Sequence, residues 1–98
     1  MNVQNFENRN GRAVPNQFII NDNKNGFNVE IFQSYSSTIA KRVTDQIDSD
    51  IVHITLDPTY WDYSVTTSKY RNQFLNETKK ETQKKIDSGE YILADLNK

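Results

Sequence analysis

Residues 64–87 read SVTTSKYRNQFLNETKKETQKKID, with neither proline nor glycine among them, and their reading decides the architecture. Tyr70, Phe74, Thr78, Thr82 and Ile86 recur every four residues, with Leu75 beside Phe74, which is one face of an amphipathic helix. The spacing predicts a single long helix that starts near Ser64–Thr67, where Ser64, Thr66 and Thr67 all offer a side-chain oxygen to an orphaned backbone N–H. Lys84 and Lys85 suit the negative end of the helix dipole, and Ser88-Gly89 supplies the left-handed stop.

Upstream of that helix the period changes to two. Phe18-Ile19-Ile20 and the alternation of Phe27, Val29 and Ile31 flank the polar turn signal Asn21 to Gly26, so they read as a β-hairpin, and Phe32 breaks the alternation. Residues 38–43 and 51–56 form a second β-branched pair around a polar segment, and Asp57-Pro58-Thr59 ends the sheet run because proline has no N–H to donate. Residues 91–96 read as a last short strand. The predicted order is ββββαβ: an α+β domain with an antiparallel sheet of four to five strands and one long helix packed on one face. Residues 1–16, rich in Asn with Gly11 and Pro15, read as a flexible N-terminal arm, and residues 17–98 as the single domain.

Composition narrows the chemistry. The 98 residues carry 12 Lys+Arg against 13 Asp+Glu, one histidine and no cysteine. A thiol nucleophile, a disulfide framework and a multi-histidine metal centre are thereby excluded. His53 has no Ser or Cys partner in a recognisable motif and reads as a hydrogen-bonded structural strand residue, so no enzyme, catalytic residue, cofactor or metal site is expected. No apolar run approaches the roughly 20 residues of a membrane span, and the chain is expected to be soluble, cytosolic and without membrane contact.

Three groups of residues remain as candidate contacts. Asp45, Asp48 and Asp50 read first as a solvated loop, second as carboxylates that imitate nucleic-acid phosphates before a basic partner, and third as oxygen ligands without the EF-hand glycine. Tyr60, Trp61 and Tyr63 suit either the seat of the helix or an interface, with Trp61 expected buried and Tyr60 or Tyr63 exposed. Lys69, Arg71, Lys79, Lys80, Lys84 and Lys85 would make a nucleic-acid face. The seven acids and seven bases between Asp57 and Lys98 speak against a strong electrostatic grip there. Glu77–Lys80 and Glu81–Lys85 have the spacing of helical ion pairs.

The segments Ser34-Tyr35-Ser36-Ser37-Thr38-Ile39-Ala40 and Trp61-Asp62-Tyr63-Ser64-Val65-Thr66-Thr67 resemble signatures of small uncharacterised proteins of bacteriophages and mobile elements. The resemblance covers roughly residues 28–97, although here Tyr63 follows Asp62 without an intervening glycine. It implies a counter-defence protein of the anti-CRISPR kind, acting in the cytoplasm of an infected bacterial host and inhibiting a defence nuclease, such as a type II CRISPR effector, by stoichiometric binding. Asp45, Asp48, Asp50, Tyr60 and Tyr63 would then be the contact residues. The alternatives are a small nucleic-acid-associated module using the lysine face, and a homodimer formed along an exposed sheet edge.

Overall fold

The computed structural model describes all residues, 1–98. Six strands form one sheet in sequence order: β1 (Asn2–Glu7), β2 (Ala13–Lys24), β3 (Phe27–Ser34), β4 (Ser37–Asp45), β5 (Val52–Leu56) and β6 (Tyr91–Leu93). The first five are antiparallel neighbours, whereas β6 lies parallel to β5. A parallel pair needs a crossover, and two helices, α1 (Val65–Leu75) and α2 (Lys79–Asp87), supply it. Neither helix is long and apolar enough to cross a membrane.

The mixed α+β class therefore stands, with more strands than expected and two helices in place of one. Asn76 takes a left-handed conformation (φ 55°) that closes α1, and Thr78 opens α2 with a capping box: its hydroxyl accepts from the Glu81 N–H while Glu81 accepts from the Thr78 N–H. The predicted start and stop both appear, as Ser64 caps α1 and Gly89 (φ 82°) follows α2. The four-residue stripe reaches the core except at Thr78, which is exposed as the cap of α2: Tyr70, Phe74, Leu75 and Thr82 are buried and Ile86 packs against the core.

The N-terminal residues depart furthest from expectation. In place of a flexible arm, Asn2–Glu7 form an edge strand paired with β2, and Phe6 is 3% exposed among the core rings of Phe32 and Tyr70. One buried aromatic and a ladder of backbone hydrogen bonds suffice to order an otherwise polar segment. The turn of the first hairpin is also tighter than the polar run implied. Lys24 pairs with Phe27, and only Asn25 (φ 51°) and Gly26 (φ 84°) turn, as a two-residue hairpin loop requires.

Register assigns the side chains to two faces. Gln4, Ile19, Phe32, Ala40 and Leu56 form one transverse row beneath the helices, where Phe32 meets Phe74 at 6.0 Å between ring centroids. A bulge opposite Phe32/Gln33 adds one residue to β4, and both Ile39 and Ala40 are fully buried. The adjacent row, Val3, Ile20, Ile31, Lys41, Thr55 and Ile92, points to the opposite face, which no helix covers. Phe27, Val29 and Ile31 thus alternate as predicted, but on that uncovered face.

Candidate functional site

The acidic segment forms the β4–β5 loop, and its carboxylates have different duties. Asp45 accepts from the N–H groups of Ile47 (2.8 Å) and Asp48 (3.0 Å), which hold its carboxyl below the usual range. Asp48 accepts from the Asp50 N–H at 3.1 Å, and its carbonyl accepts from the Ile51 N–H at 3.0 Å. Gln46 ties the loop to the first hairpin through its N–H to the Gly26 carbonyl and its amide to Asn28. The result is a braced loop that displays Asp48 and Asp50 to solvent. Between them and Asp45 stands a residue the sequence reading passed over: Ile47, 98% exposed at the loop tip. The only signal for it was an aliphatic residue inside an otherwise polar turn.

The aromatic candidates lie elsewhere. Tyr60 and Tyr63 meet edge to face at 5.4 Å, with Tyr63 half exposed and Tyr60 packed against the core. They follow the C-terminal end of β5, whereas the acidic loop precedes its N-terminal end, so about 17 Å of strand separates the two groups. The structure does not unite them in one patch. Trp61 is half-buried, with the Arg71 guanidinium 5.2 Å over its ring.

Asp62 collects the cations of this end. It lies 2.7 Å from Lys79 and 3.3 Å from Arg71 and accepts from the Ser68 hydroxyl at 3.0 Å. Burial works against its charge, but these donors together hold its carboxyl below the usual range. Arg71 is completely buried and also donates to the Trp61 carbonyl and the Asn72 amide, so it does not belong to a nucleic-acid face. A groove of about 670 Å³ beside the start of α1 is walled by Asp62, Tyr63, Ser64, Lys69 and Lys79, where the acid offsets the lysines.

A second buried carboxylate organises the end of α2. Glu77 accepts from Lys85 (2.9 Å), from the Tyr91 hydroxyl (2.7 Å) and from the Thr82 hydroxyl. Burial opposes its ionisation, but these bonds outweigh it; Lys85 is raised well above its ordinary value by Glu77, and burial together with Glu77 pushes Tyr91 up to about 12. The predicted pairs Glu77–Lys80 and Glu81–Lys85 do not form, because the helix breaks between them and Glu81 is spent on the cap. Of the six basic residues, Lys69, Lys80 and Lys84 are exposed and outside any ion pair.

Asp57 performs a structural task that the sequence did not announce. It accepts four hydrogen bonds, from the N–H groups of Thr59, Tyr60 and Leu96 and the Asn97 amide. Burial disfavours its charge, and the four donors reverse that and lower its pKa. Asn97 also bonds both backbone groups of Thr38, so the C-terminal residues are stitched to the sheet. His53 does not have the hydrogen-bonded structural role expected of it: it is exposed on the uncovered face beside Val43, where no polar partner reaches its ring. No three His, Asp or Glu side chains converge in a metal-binding arrangement.

No curated protein and no solved structure matches this chain. A family model does match, over residues 1–90, and so takes in β1 to β5 and both helices and ends just before β6. The chain belongs to that family, a family of unknown function (DUF8033).

Proposed function

We propose that this protein acts by contact, as an interaction protein that inhibits a bacterial defence nuclease by stoichiometric binding in the cytoplasm of an infected host. The observation that carries the reading is the β4–β5 loop, in which Ile47 stands 98% exposed beside Asp48 and Asp50 on a backbone braced from within by Asp45. An apolar anchor on a rigid support loses little entropy on docking, and surrounding carboxylates steer it toward a basic surface. The channel that holds guide and target in a CRISPR effector is such a surface. The identification of a phage counter-defence protein rests on the resemblance of residues 34–40 and 61–67, and the loop adds a chemically suitable contact. Tyr63 would be a separate contact at the other end of β5.

The nucleic-acid module is the weaker reading. Arg71 is buried, and Lys79 and Lys85 are held by Asp62 and Glu77, so half of the proposed basic face is already engaged.

Size-exclusion chromatography with a type II effector and its guide, followed by a cleavage assay, tests the proposal. A complex and loss of cleavage at molar excess are expected, and Ile47→Arg should abolish both while leaving the melting curve unchanged. Free elution with undiminished cleavage would overturn the assignment of this target. A salt-dependent shift of bare DNA at low ionic strength would move the function to the lysine face.

A further inference from the structure

The uncovered face of the sheet has a composition that solvent does not explain. Phe18, Ile20, Val29, Ile31 and Val43 are half-buried by one another there, and Val3 and Phe27 stand at 54% and 37% exposure. The runs Phe18-Ile19-Ile20 and Ile31-Phe32 place apolar side chains on both sides of the sheet, as in strands that are covered on both faces. A groove of about 370 Å³ crosses this side, its apolar lining including Ile20, Phe27, Val29 and Ile31 and its polar lining including Asp22 and Lys41.

The charges on this face are arranged about β3. Along β3 the outward positions Phe27, Val29 and Ile31 are apolar, and the polar Gln33 follows them at the far end. On one flank β2 presents Asp22 and Lys24, and on the other β4 presents Lys41 and Asp45. The pairing places Lys24, Phe27 and Asp45 in one row, Asp22, Val29 and Val43 in the next, and Ile20, Ile31 and Lys41 in the third. A half-turn about an axis along β3 lays β2 of one copy over β4 of another. Lys24 then faces Asp45 of the second copy, Asp22 falls one row from its Lys41, and the apolar residues of β3 face themselves. Each contact off the axis occurs twice and each β3 residue meets its own copy on it, as an isologous interface requires. Asp45 can take part because its backbone bonds all use one carboxylate oxygen, Oδ1.

We propose that two copies of this chain pair through their uncovered sheet faces about a two-fold axis along β3, as two aligned sheets about 10 Å apart. The helices then form the two outer layers, and both β4–β5 loops emerge at the same end of the dimer. The inference does not rest on the nuclease reading, since it shares only Asp45 with that contact, uses the sheet face otherwise, and is measured on the protein alone.

Sedimentation velocity across a concentration series tests it. The expected result is a species of twice the 11.4 kDa chain mass that dissociates more readily as salt rises. Ile31→Glu should give a folded monomer, checked by circular dichroism. Lys24→Glu, on an exposed side chain outside any ion pair, should weaken association about tenfold and remove most of its salt dependence. Lys80→Glu, on the helix side, should leave the dimer intact. A wild-type monomer at all concentrations up to about 1 mM would overturn the proposal. So would a dimer indifferent to both Ile31→Glu and Lys24→Glu, and if Ile31→Glu does not fold, Lys24→Glu decides alone.

Discussion

The two faces of the sheet are built from alternate residues of the same strands and meet different surroundings. On one face Phe32, Ala40 and Leu56 are fully buried beneath α1 and α2, and most polar groups among them are bonded, Ser34 to Thr67 and Arg42 to Glu30 and the Phe74 carbonyl, while the buried amide of Gln17 has no partner. On the other face Ile31, next to Phe32 in sequence, lies with Ile20 and Val29, shielded only by their neighbours. Hydrophobicity does not distinguish the faces, since both carry aliphatic and aromatic rows. What distinguishes them is the crossover between β5 and β6, which carries the helices to one side.

The comparison is tested most severely by truncating neighbouring residues on opposite faces. Phe32→Ala should cost about 3–5 kcal/mol in urea-unfolding stability, because it opens a cavity against Phe6 and Phe74. Ile31→Ala, measured in dilute solution, should cost under about 1 kcal/mol. Equal losses would show that the outer face is also a packed interior.

The next effect is an acid limb. Asp57, Asp62 and Glu77 have folded-state pKa values below their ordinary values of 3.8, 3.8 and 4.5, and all three tie the helices or the C-terminal residues to the sheet. A depressed pKa means that the unfolded chain binds more protons in this range. Their stabilisation is therefore complete above pH of about 5 and is lost as pH falls through the folded values. The urea midpoint should be flat from pH 7 to 5 and drop below it, with amide exchange in α2 and β6 accelerating before that in the β2–β3 hairpin. Simultaneous loss in both regions would erase the distinction between the pinned layer and the sheet. At the alkaline end Lys85 and Tyr91, both raised, contribute below their unfolded values and lose that contribution as pH climbs toward about 12.

The smallest effect concerns the break in the helical layer. Thr78→Ala removes the hydroxyl of the capping box and should cost about 1 kcal/mol, read from the thermal midpoint. If α1 and α2 behaved as one continuous helix, that substitution would be neutral or stabilising, since alanine is the better interior residue.

How far the fold was legible follows from which forces are local. Ser64 and Gly89 were readable as helix limits because caps and left-handed residues act within a few positions. The break was readable in part: Thr78-Lys79-Lys80-Glu81 is a capping-box pattern, but the four-residue stripe runs across it and favoured continuity. β1 was illegible because its ordering comes from pairing with β2 and one ring, Phe6, placed in a distant core. The same holds at the site. Asp45, Asp48 and Asp50 were identifiable as a loop, but their separation from Tyr60 and Tyr63 depends on which end of β5 each occupies, and the fate of Arg71 depends on meeting Asp62 and Trp61 in space.

By itself the sequence determined the α+β class, the two strand pairs before the helical segment, the helical limits and the absence of thiol chemistry, since each follows from period, caps or composition. The tertiary structure alone decided which side of the alternating strands became the core and which basic residues stayed free. It also decided that Asp57, Asp62 and Glu77 act as ties. Period two specifies that a strand has two faces, but only the placement of another layer specifies which of them is covered.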